Sequence, residues 1–247
     1  MTLMITSKDN NQIKEMRKLQ QRRARVKLGR FVAEGEDLVE SALAAGWSPV
    51  ALLVTEEAPD ALKDRPGAEL VEHDVLASAS SLGSGARAAA IFDLPDESED
   101  VQGELALYVD NVADPGNIGT LVRSASAFGD SPLRLSAGCA DPYSPKALRA
   151  AMGQTFARPP IVDASIGAEG SLVVALDASG NVDLADLDLR SPVVICAGGE
   201  REGLSRSALD AADVVARIPM REGGPESLNV AMAATIALYE AAKKLAI

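Results

Sequence analysis

The stretch LALYVDNVADPGNIGTLVRSASAFG, residues 105–129, decides the fold class. LALYVDNV reads as a strand that runs into a Gly/Pro turn built on Pro115 and Gly116. Asn117 is the expected N-cap, and a helix is expected over residues 118–128, where Arg123 is the only charge. The same alternation continues downstream. PLRLS reads as a strand, residues 145–152 as a helix, and SLVVALDA and PVVICAG as strands. A helix over 204–211, the strand VVARIPM and a long helix over 228–245 complete the chain. Near-continuous apolar strands separated by helices imply an α/β fold with a parallel sheet covered on both faces. Ligands of such sheets bind beyond the carboxyl ends of the strands. Three of those ends carry unusual loops: VDNVADPGN, CAGGEREG and IPMREGGPES.

Working back from Leu105, the acidic stretch DLPDESEDVQGE (residues 93–104) reads as a linker. The expected organisation is a small N-terminal domain over 1–95, a linker over 96–104 and an α/β domain over 105–247. In the first of these, residues 37–45 read as a helix, 50–54 and 88–92 as strands, and LASASSLGSGARA (76–88) as an exposed loop.

The chain has 247 residues, 47 % hydrophobic and 24 % charged, enough apolar material for a packed core. Its net charge is −12, yet residues 8–30 hold nine basic side chains against two acids, so this segment is +7 and the remainder −19. Lys14, Arg17, Lys18, Arg22, Arg23, Arg25, Lys27 and Arg30 are the candidates for contact with a nucleic-acid backbone. The alternative is an amphipathic helix with Ile13, Met16, Leu19 and Gln20 on its inner face and the charges solvated. Both readings stand at this point.

No apolar run approaches the ~20 residues of a membrane span, and the N-terminus has no apolar segment behind a basic start, so the expectation is a cytoplasmic protein without membrane contact. Two cysteines and a single histidine, His73, leave no donor set for a zinc site and no imidazole-based nucleophile. No metal is expected, and His73 reads as an ordinary surface or boundary residue.

Taken singly, each loop has a plain structural reading: helix caps, turns and, for Arg123, an edge arginine paired with an acid. Arg123 also suits a site for phosphate or carboxylate. Ser227 reads as the cap of the last helix, leaving Asn229 in its first turn in need of a partner. Together, in this order, the segments DPGNIGTLVRSASAFG, AGGEREGL and IPMREGGPESLNVAMA resemble the three signature motifs of the SpoU (TrmH-type) RNA ribose 2′-O-methyltransferases of the SPOUT superfamily. DPYSPKALRAAMG is similar to the family's linking segment, with Ala151 where serine is more frequent. The segment SKDNNQIKEMRKLQQRRARVKLGRFVAEGEDLVESAL resembles the small RNA-binding domain often found ahead of the catalytic one. The third motif is one residue longer than usual, and the N-terminal domain lacks the frequent Thr-Pro-Gln-Gly segment.

The resemblance implies a trefoil-knotted α/β methyltransferase domain that works as a homodimer, with S-adenosylmethionine as cofactor and RNA as substrate, ribosomal RNA ahead of transfer RNA. It implies that Arg123 acts on the ribose hydroxyl or a phosphate, Asn117 orients the ribose, Glu200 positions Arg123 or the substrate, and Ser227 and Asn229 complete the hydrogen bonding. Backbone groups around Gly198, Gly199, Ile218, Met220 and Leu228 would hold the cofactor. A catalytically silent RNA-binding protein of the same architecture is the alternative. A nucleotide-binding enzyme on a Rossmann sheet is disfavoured, because no GxGxxG follows the first strand.

Overall fold

The computed structural model describes residues 4–82, 85–95, 103–167 and 170–247. They form two compact units. The first contains α1 (Asn11–Leu19), α2 (Arg22–Leu28), β1 (Arg30–Glu34), α3 (Glu36–Ala44), β2 (Ala51–Val54), α4 (Asp60–Lys63), β3 (Ala68–Leu70), α5 (His73–Ala77) and β4 (Ala88–Asp93). Downstream come β5 (Leu105–Asp110), α6 (Pro115–Phe128), β6 (Arg134–Leu135), α7 (Pro145–Ala151), α8 (Gln154–Ala157), β7 (Ile161–Val162) and β8 (Leu172–Leu176). The chain ends with β9 (Val182–Asp183), β10 (Val193–Gly198), α9 (Arg206–Asp210), β11 (Val214–Arg217) and α10 (Val230–Leu245).

Unit 1 is a four-stranded sheet in the order β1-β4-β2-β3, with β2 and β3 parallel and the other pairs antiparallel. Strand residues alternate between its two faces. Val32, Leu53, Ala89 and Ile91 meet Ile13, Met16 and Leu19 of α1 on one face. Phe31, Leu52, Ala90 and Phe92 meet α3 on the other, together with Tyr143, Leu148 and Phe156. These last three belong to a segment, Tyr143–Ala157, that leaves the C-terminal part of the chain and packs in unit 1. This corrects the expectation that residues 105–247 form one unbroken domain. The segment is held by an aromatic cluster in which Phe31 lies 4.9 Å from Tyr143 and 6.1 Å from Phe156, centroid to centroid. Trp47 donates its indole N–H to the Phe156 carbonyl at 3.0 Å. Most of the expected linker, residues 96–102, lies outside the described residues. Of the loop expected over 76–88, residues 83–84 lie outside the described residues; of the rest, Leu76, Ala79 and Ala86 are buried, and α5 takes up the start.

Unit 2 holds a seven-stranded sheet in the order β7-β6-β5-β10-β8-β11-β9, parallel throughout. Every residue of β5 is buried, as a strand covered on both faces requires. Tyr108, Ala175, Val194, Cys196, Leu204 and Ala208 pack on one side, and α6 and α10 cover the other. Spatial order departs from chain order at β5–β10: sequence runs outward from β5 through β6 to β7, whereas β10, β8, β11 and β9 lie on its other side. A switch point of this kind places a crevice beyond the carboxyl ends of the strands.

Two caps differ from the sequence reading. Asp114, not Asn117, caps α6, accepting from the N–H groups of Gly116 at 2.6 Å and Asn117 at 3.1 Å, with Pro115 at the first helical position. Asn229, not Ser227, caps α10, accepting from Ala231 at 2.9 Å and Met232 at 3.4 Å. In both cases the helix boundary shifts by a few residues, and the asparagine side chain is directed to a different task.

Candidate active site

The loop after β5 and the loop after β10 are stapled by Asp110, the last residue of β5. Its backbone carbonyl accepts the Gly199 N–H at 2.8 Å, and its buried carboxylate accepts the Ser205 N–H at 2.8 Å. The β10 loop then closes on itself, with Gly203 N–H donating to the Gly199 carbonyl at 3.0 Å. The backbones approach so closely that a Cβ on Gly198 would strike Gly203, and one on Gly199 would strike the Asn111 carbonyl. Glycine at both positions is therefore a packing requirement.

The third loop joins through side-chain amides, and their polarity is fixed by one end. The Asn229 side-chain oxygen is committed to the N–H groups that open α10, so its NH2 group must donate. It does so to the Asn117 side-chain oxygen at 3.2 Å. The NH2 group of Asn117 in turn donates to a carboxylate oxygen of Glu200. Asn117, Glu200 and Asn229 come from three loops separated by 83 and 112 residues along the chain, and one directed hydrogen-bond chain unites them. Sequence reading singled out all three and expected Glu200 to position Arg123 or the substrate; in the structure its carboxylate accepts from Asn117.

Arg123 lies six residues beyond Asn117 on α6, about 9 Å further along the axis. It is exposed and forms no hydrogen bond or ion pair with the described residues. The acid partner of its plain structural reading is thus absent among the described residues, and its five N–H donors are available to a ligand.

Beside the amide chain a cleft of about 470 Å³ opens at the carboxyl ends of β8, β10 and β11. All five residues expected to hold a cofactor, Gly198, Gly199, Ile218, Met220 and Leu228, line it, as do Glu200 and Ser227. Leu176 and Asp177, at the end of β8, line it too and were missed, because SLVVALDA has no glycine pair to draw attention to its end. The volume is in the range of small-molecule sites, which run to about 300–1,000 Å³ with mostly apolar walls and a few polar groups. Apolar Leu176, Ile218, Met220 and Leu228 suit an adenine ring, and the Asp177 and Glu226 carboxylates at the same cleft suit a cationic group. These carboxylates and apolar walls fit S-adenosylmethionine.

Thiol chemistry is disfavoured. Burial, with Asp110 nearby, pushes the Cys196 thiol up to about 12, and burial likewise raises Cys139. Neither is a thiolate at neutral pH.

The basic segment of unit 1 divides between two roles. Ile13, Met16 and Leu19 are fully buried, as the amphipathic reading requires, but a second helix, α2, follows the first. Lys14, Arg17, Lys18, Arg22, Arg23 and Lys27 are exposed. Arg25 is not a surface residue: it is 3 % exposed and donates to the Leu19 carbonyl at 2.7 Å. Arg30 spends its charge on Glu15 at 2.9 Å and Asp93 at 3.0 Å. Burial takes Arg25 off the surface that a nucleic acid could reach, which corrects its reading, whereas Arg30 stays partly exposed beside its two carboxylates.

Residues 104–239 match the model of the SpoU rRNA Methylase family, and residues 10–84 match the MRM3-like substrate binding domain. The 23S rRNA (guanosine(2553)-2′-O)-methyltransferase RlmP of Bacillus subtilis is 30 % identical over 95 % of this chain and 97 % of its own length. Among solved structures, the AdoMet-bound rRNA methyltransferase from Sinorhizobium meliloti superposes with a TM-score of 0.87 at 32 % identity, covering 98 % of both chains. The SpoU methyltransferase AviRb from Streptomyces viridochromogenes, in complex with AdoMet, superposes with a TM-score of 0.85 at 28 % identity, covering 96 % of this chain and 98 % of that one. With its three strand-end loops joined at one cleft and its family model spanning more than half its length, the chain belongs to the SpoU rRNA methylase family.

Proposed function

We propose that this chain transfers the methyl group of S-adenosylmethionine to the 2′-hydroxyl of a ribose in RNA, ribosomal RNA ahead of transfer RNA. The observation that carries the reading is the amide chain Glu200–Asn117–Asn229, which draws the three loops to one edge of the 470 Å³ cleft. The cofactor supplies an electrophilic methyl group. Everything else is positioning and help with a poorly acidic hydroxyl. The backbone at Gly198, Ile218, Met220 and Leu228 holds the cofactor, with Leu176 and Asp177 on the facing wall. A guanidinium is locked in its charged form, so Arg123 holds a phosphate or lowers the hydroxyl's pKa rather than acting as a free base. In the transfer the ribose oxygen would take the methyl group as the S–CH3 bond breaks, the electron pair staying on sulfur and S-adenosylhomocysteine leaving, and would give up its proton to solvent. Asn117, locked between Glu200 and Asn229, keeps the start of α6, and with it Arg123, in register.

Met232, Ile236 and Tyr239 recur at i, i+4 and i+7 on α10, and are 63 %, 43 % and 56 % exposed. An apolar stripe of this kind on a polar-rimmed helix supports a homodimer built on α10. The family's trefoil knot, the domain boundary within residues 96–104 and a cytoplasmic site of action belong to the same proposal. No helix among the described residues is long and apolar enough to cross a membrane.

The test is methyl incorporation from labelled S-adenosylmethionine into ribosomal RNA. Arg123→Ala is expected to abolish it while cofactor affinity stays within a few-fold. Retained turnover refutes the role of Arg123, and tight RNA binding by the unaltered chain without incorporation supports a silent RNA-binding protein.

A further inference from the structure

Unit 1 contains a larger cleft, of about 710 Å³, which no part of the transfer reaction uses. It opens between the start of α3, the loop before β4 and the end of α7, and Arg149, Met152, Leu82, Leu38 and Asp37 line it. His73, the only histidine of the chain, forms part of its wall.

Met152 is doubly out of place there. It is 59 % exposed, and its φ of +50° puts it in the left-handed region, at the residue that ends α7 and where glycine or asparagine is usual. A long apolar side chain held in an unfavourable backbone conformation at the mouth of a cleft points to a ligand with a flat face, against which a thioether packs well. Three residues earlier, Arg149 is held by a hydrogen-bond network that runs from the exposed Ser81 to a buried carboxylate. It donates to Ser81 Oγ at 2.9 Å, and Ser81 in turn donates to the Glu34 carboxylate, through Oγ at 2.6 Å and through its N–H at 2.9 Å. Glu34 is buried and accepts from Ser80 and Gln20 as well. Arg149 meets no carboxylate among the described residues, so most of its fork remains available. The exposed Asp37 carboxylate, which lines the same cleft, accepts no hydrogen bond from the described residues.

We propose that this cleft takes one unpaired guanine nucleotide of the RNA substrate, an inference that rests on the proposed function. The base lies between Met152 and the apolar wall of Leu38 and Leu82, and Arg149 holds a phosphate. Asp37 accepts from guanine N1–H and the N2 amino group at once. No other standard RNA base offers two adjacent donors on that edge to a carboxylate. Single-stranded RNA is read by splaying out bases in this manner, by stacking and edge contacts. A basic peptide is disfavoured by the guanidinium, which has no role with such a partner.

Two measurements on the full-length chain test this. In the first, guanosine 5′-monophosphate is titrated while the methyl resonances of Met152 and Leu82 are followed. Both are expected to shift, adenosine 5′-monophosphate is expected to move them far less, and Asp37→Asn is expected to erase the preference. No shift with either nucleotide overturns the proposal. In the second, Met152→Gly, which suits the left-handed backbone, is expected to melt no lower than the unaltered chain yet to bind a ribosomal RNA fragment at least fivefold more weakly. An unchanged affinity overturns the proposal, and the undiminished melting temperature removes misfolding as an explanation of a loss. A chain that takes the nucleotide in the cleft but methylates no RNA sinks the proposed function and keeps the cleft; a chain that methylates RNA with an inert cleft sinks the cleft alone.

Discussion

The directed amide chain makes an unusual demand on Asn229, which can be tested by separating its two duties. Its oxygen caps α10, and its NH2 group donates to Asn117 at 3.2 Å. Asn229→Ala removes both. The lost cap costs about 1 kcal/mol and the lost hydrogen bond about 1 kcal/mol more. For a chain of this size each kcal/mol corresponds to a melting shift of about 2–4 °C, so a fall of about 4–8 °C is expected. Asn229→Asp removes only the donor. Aspartate caps as well as asparagine, and its charge gains about 0.3–1 kcal/mol at the positive end of α10, which offsets the lost bond. Its stability should therefore lie within about 1 kcal/mol of the parent.

Activity should not be spared in the aspartate variant. With no donor at position 229, the Asn117 oxygen is orphaned. Flipping the Asn117 amide would satisfy that end but turn the oxygen toward Glu200. Either outcome loosens the register of the loops around the cleft, and about 1.4 kcal/mol of lost positioning slows transfer tenfold. Glu200→Gln is the control. Its side-chain oxygen still accepts from Asn117, so it should transfer faster than Asn229→Asp. Scanning calorimetry with initial rates of methyl incorporation distinguishes these cases. An Asn229→Asp variant with the parent rate, or one slower for Glu200→Gln than for Asn229→Asp, refutes the claim that the direction of the hydrogen-bond chain matters.

Lys27→Ala should weaken RNA binding uniformly and reduce the slope of log affinity against log salt by about 0.7, the contribution of one single-stranded phosphate contact. Arg25→Ala, by contrast, should leave that slope unchanged and cost about 1–3 kcal/mol in stability, because it strands the Leu19 carbonyl; a changed slope would return Arg25 to the RNA surface. Alkaline titration should destabilise the fold. Burial pushes both Cys196 and Tyr108 up to about 12, so the unfolded chain releases these protons first, from ordinary values of 9.0 and 10.0. Their stabilisation is complete below pH 9 and declines above it, by up to about 1.4 kcal/mol per pH unit for each group. Cys196→Ala should flatten the decline between pH 9 and 10 in denaturant melts, and an unaltered slope there would count against the buried thiol. Phe156→Ala should cost about 3–5 kcal/mol by emptying the aromatic cluster of unit 1; a loss in unit 2 alone, followed by hydrogen exchange, would reassign the segment Tyr143–Ala157.

How much of this could be read from the chain alone depended on the distance over which each signal acts. The longer strands of unit 2 announced themselves because a strand buried on both faces is a near-continuous apolar run, as β5 is up to its final aspartate. The start of α6 was also legible but was placed three residues late. Asp114 followed by Pro115 is itself a start signal, a capping carboxylate before a residue with no N–H to satisfy, and the neighbouring asparagine obscured it. Asp110 was out of reach. Its partner Ser205 lies 95 residues away, and nothing in a strand-end aspartate distinguishes a solvated carboxylate from one buried against a backbone amide. Arg25 was misjudged for a similar reason: one arginine among eight basic candidates looks like its neighbours until the turn between α1 and α2 encloses it. The short elements β3, β9, α4 and α5 have too few residues to establish a period.

The convergence of the three loops follows from parallel strands and not from any local property of the loops. In a parallel sheet every strand ends on the same side, so the loops after β5, β10 and β11 share an edge however far apart they lie in sequence. What the chain must still decide is which of them are neighbours. It does so by inserting β10 between β5 and β8, which seats the loop carrying Glu200 directly against the loop carrying Asn117. The remaining loop reaches them only because α10 returns across β10 and α6, bringing its capping asparagine to the same point. A cap is among the few polar side chains that a helix holds in one orientation. Placing it at the end of the amide chain transmits the fixed direction of the α10 backbone dipoles, through two side-chain amides, to the carboxylate at the mouth of the cleft.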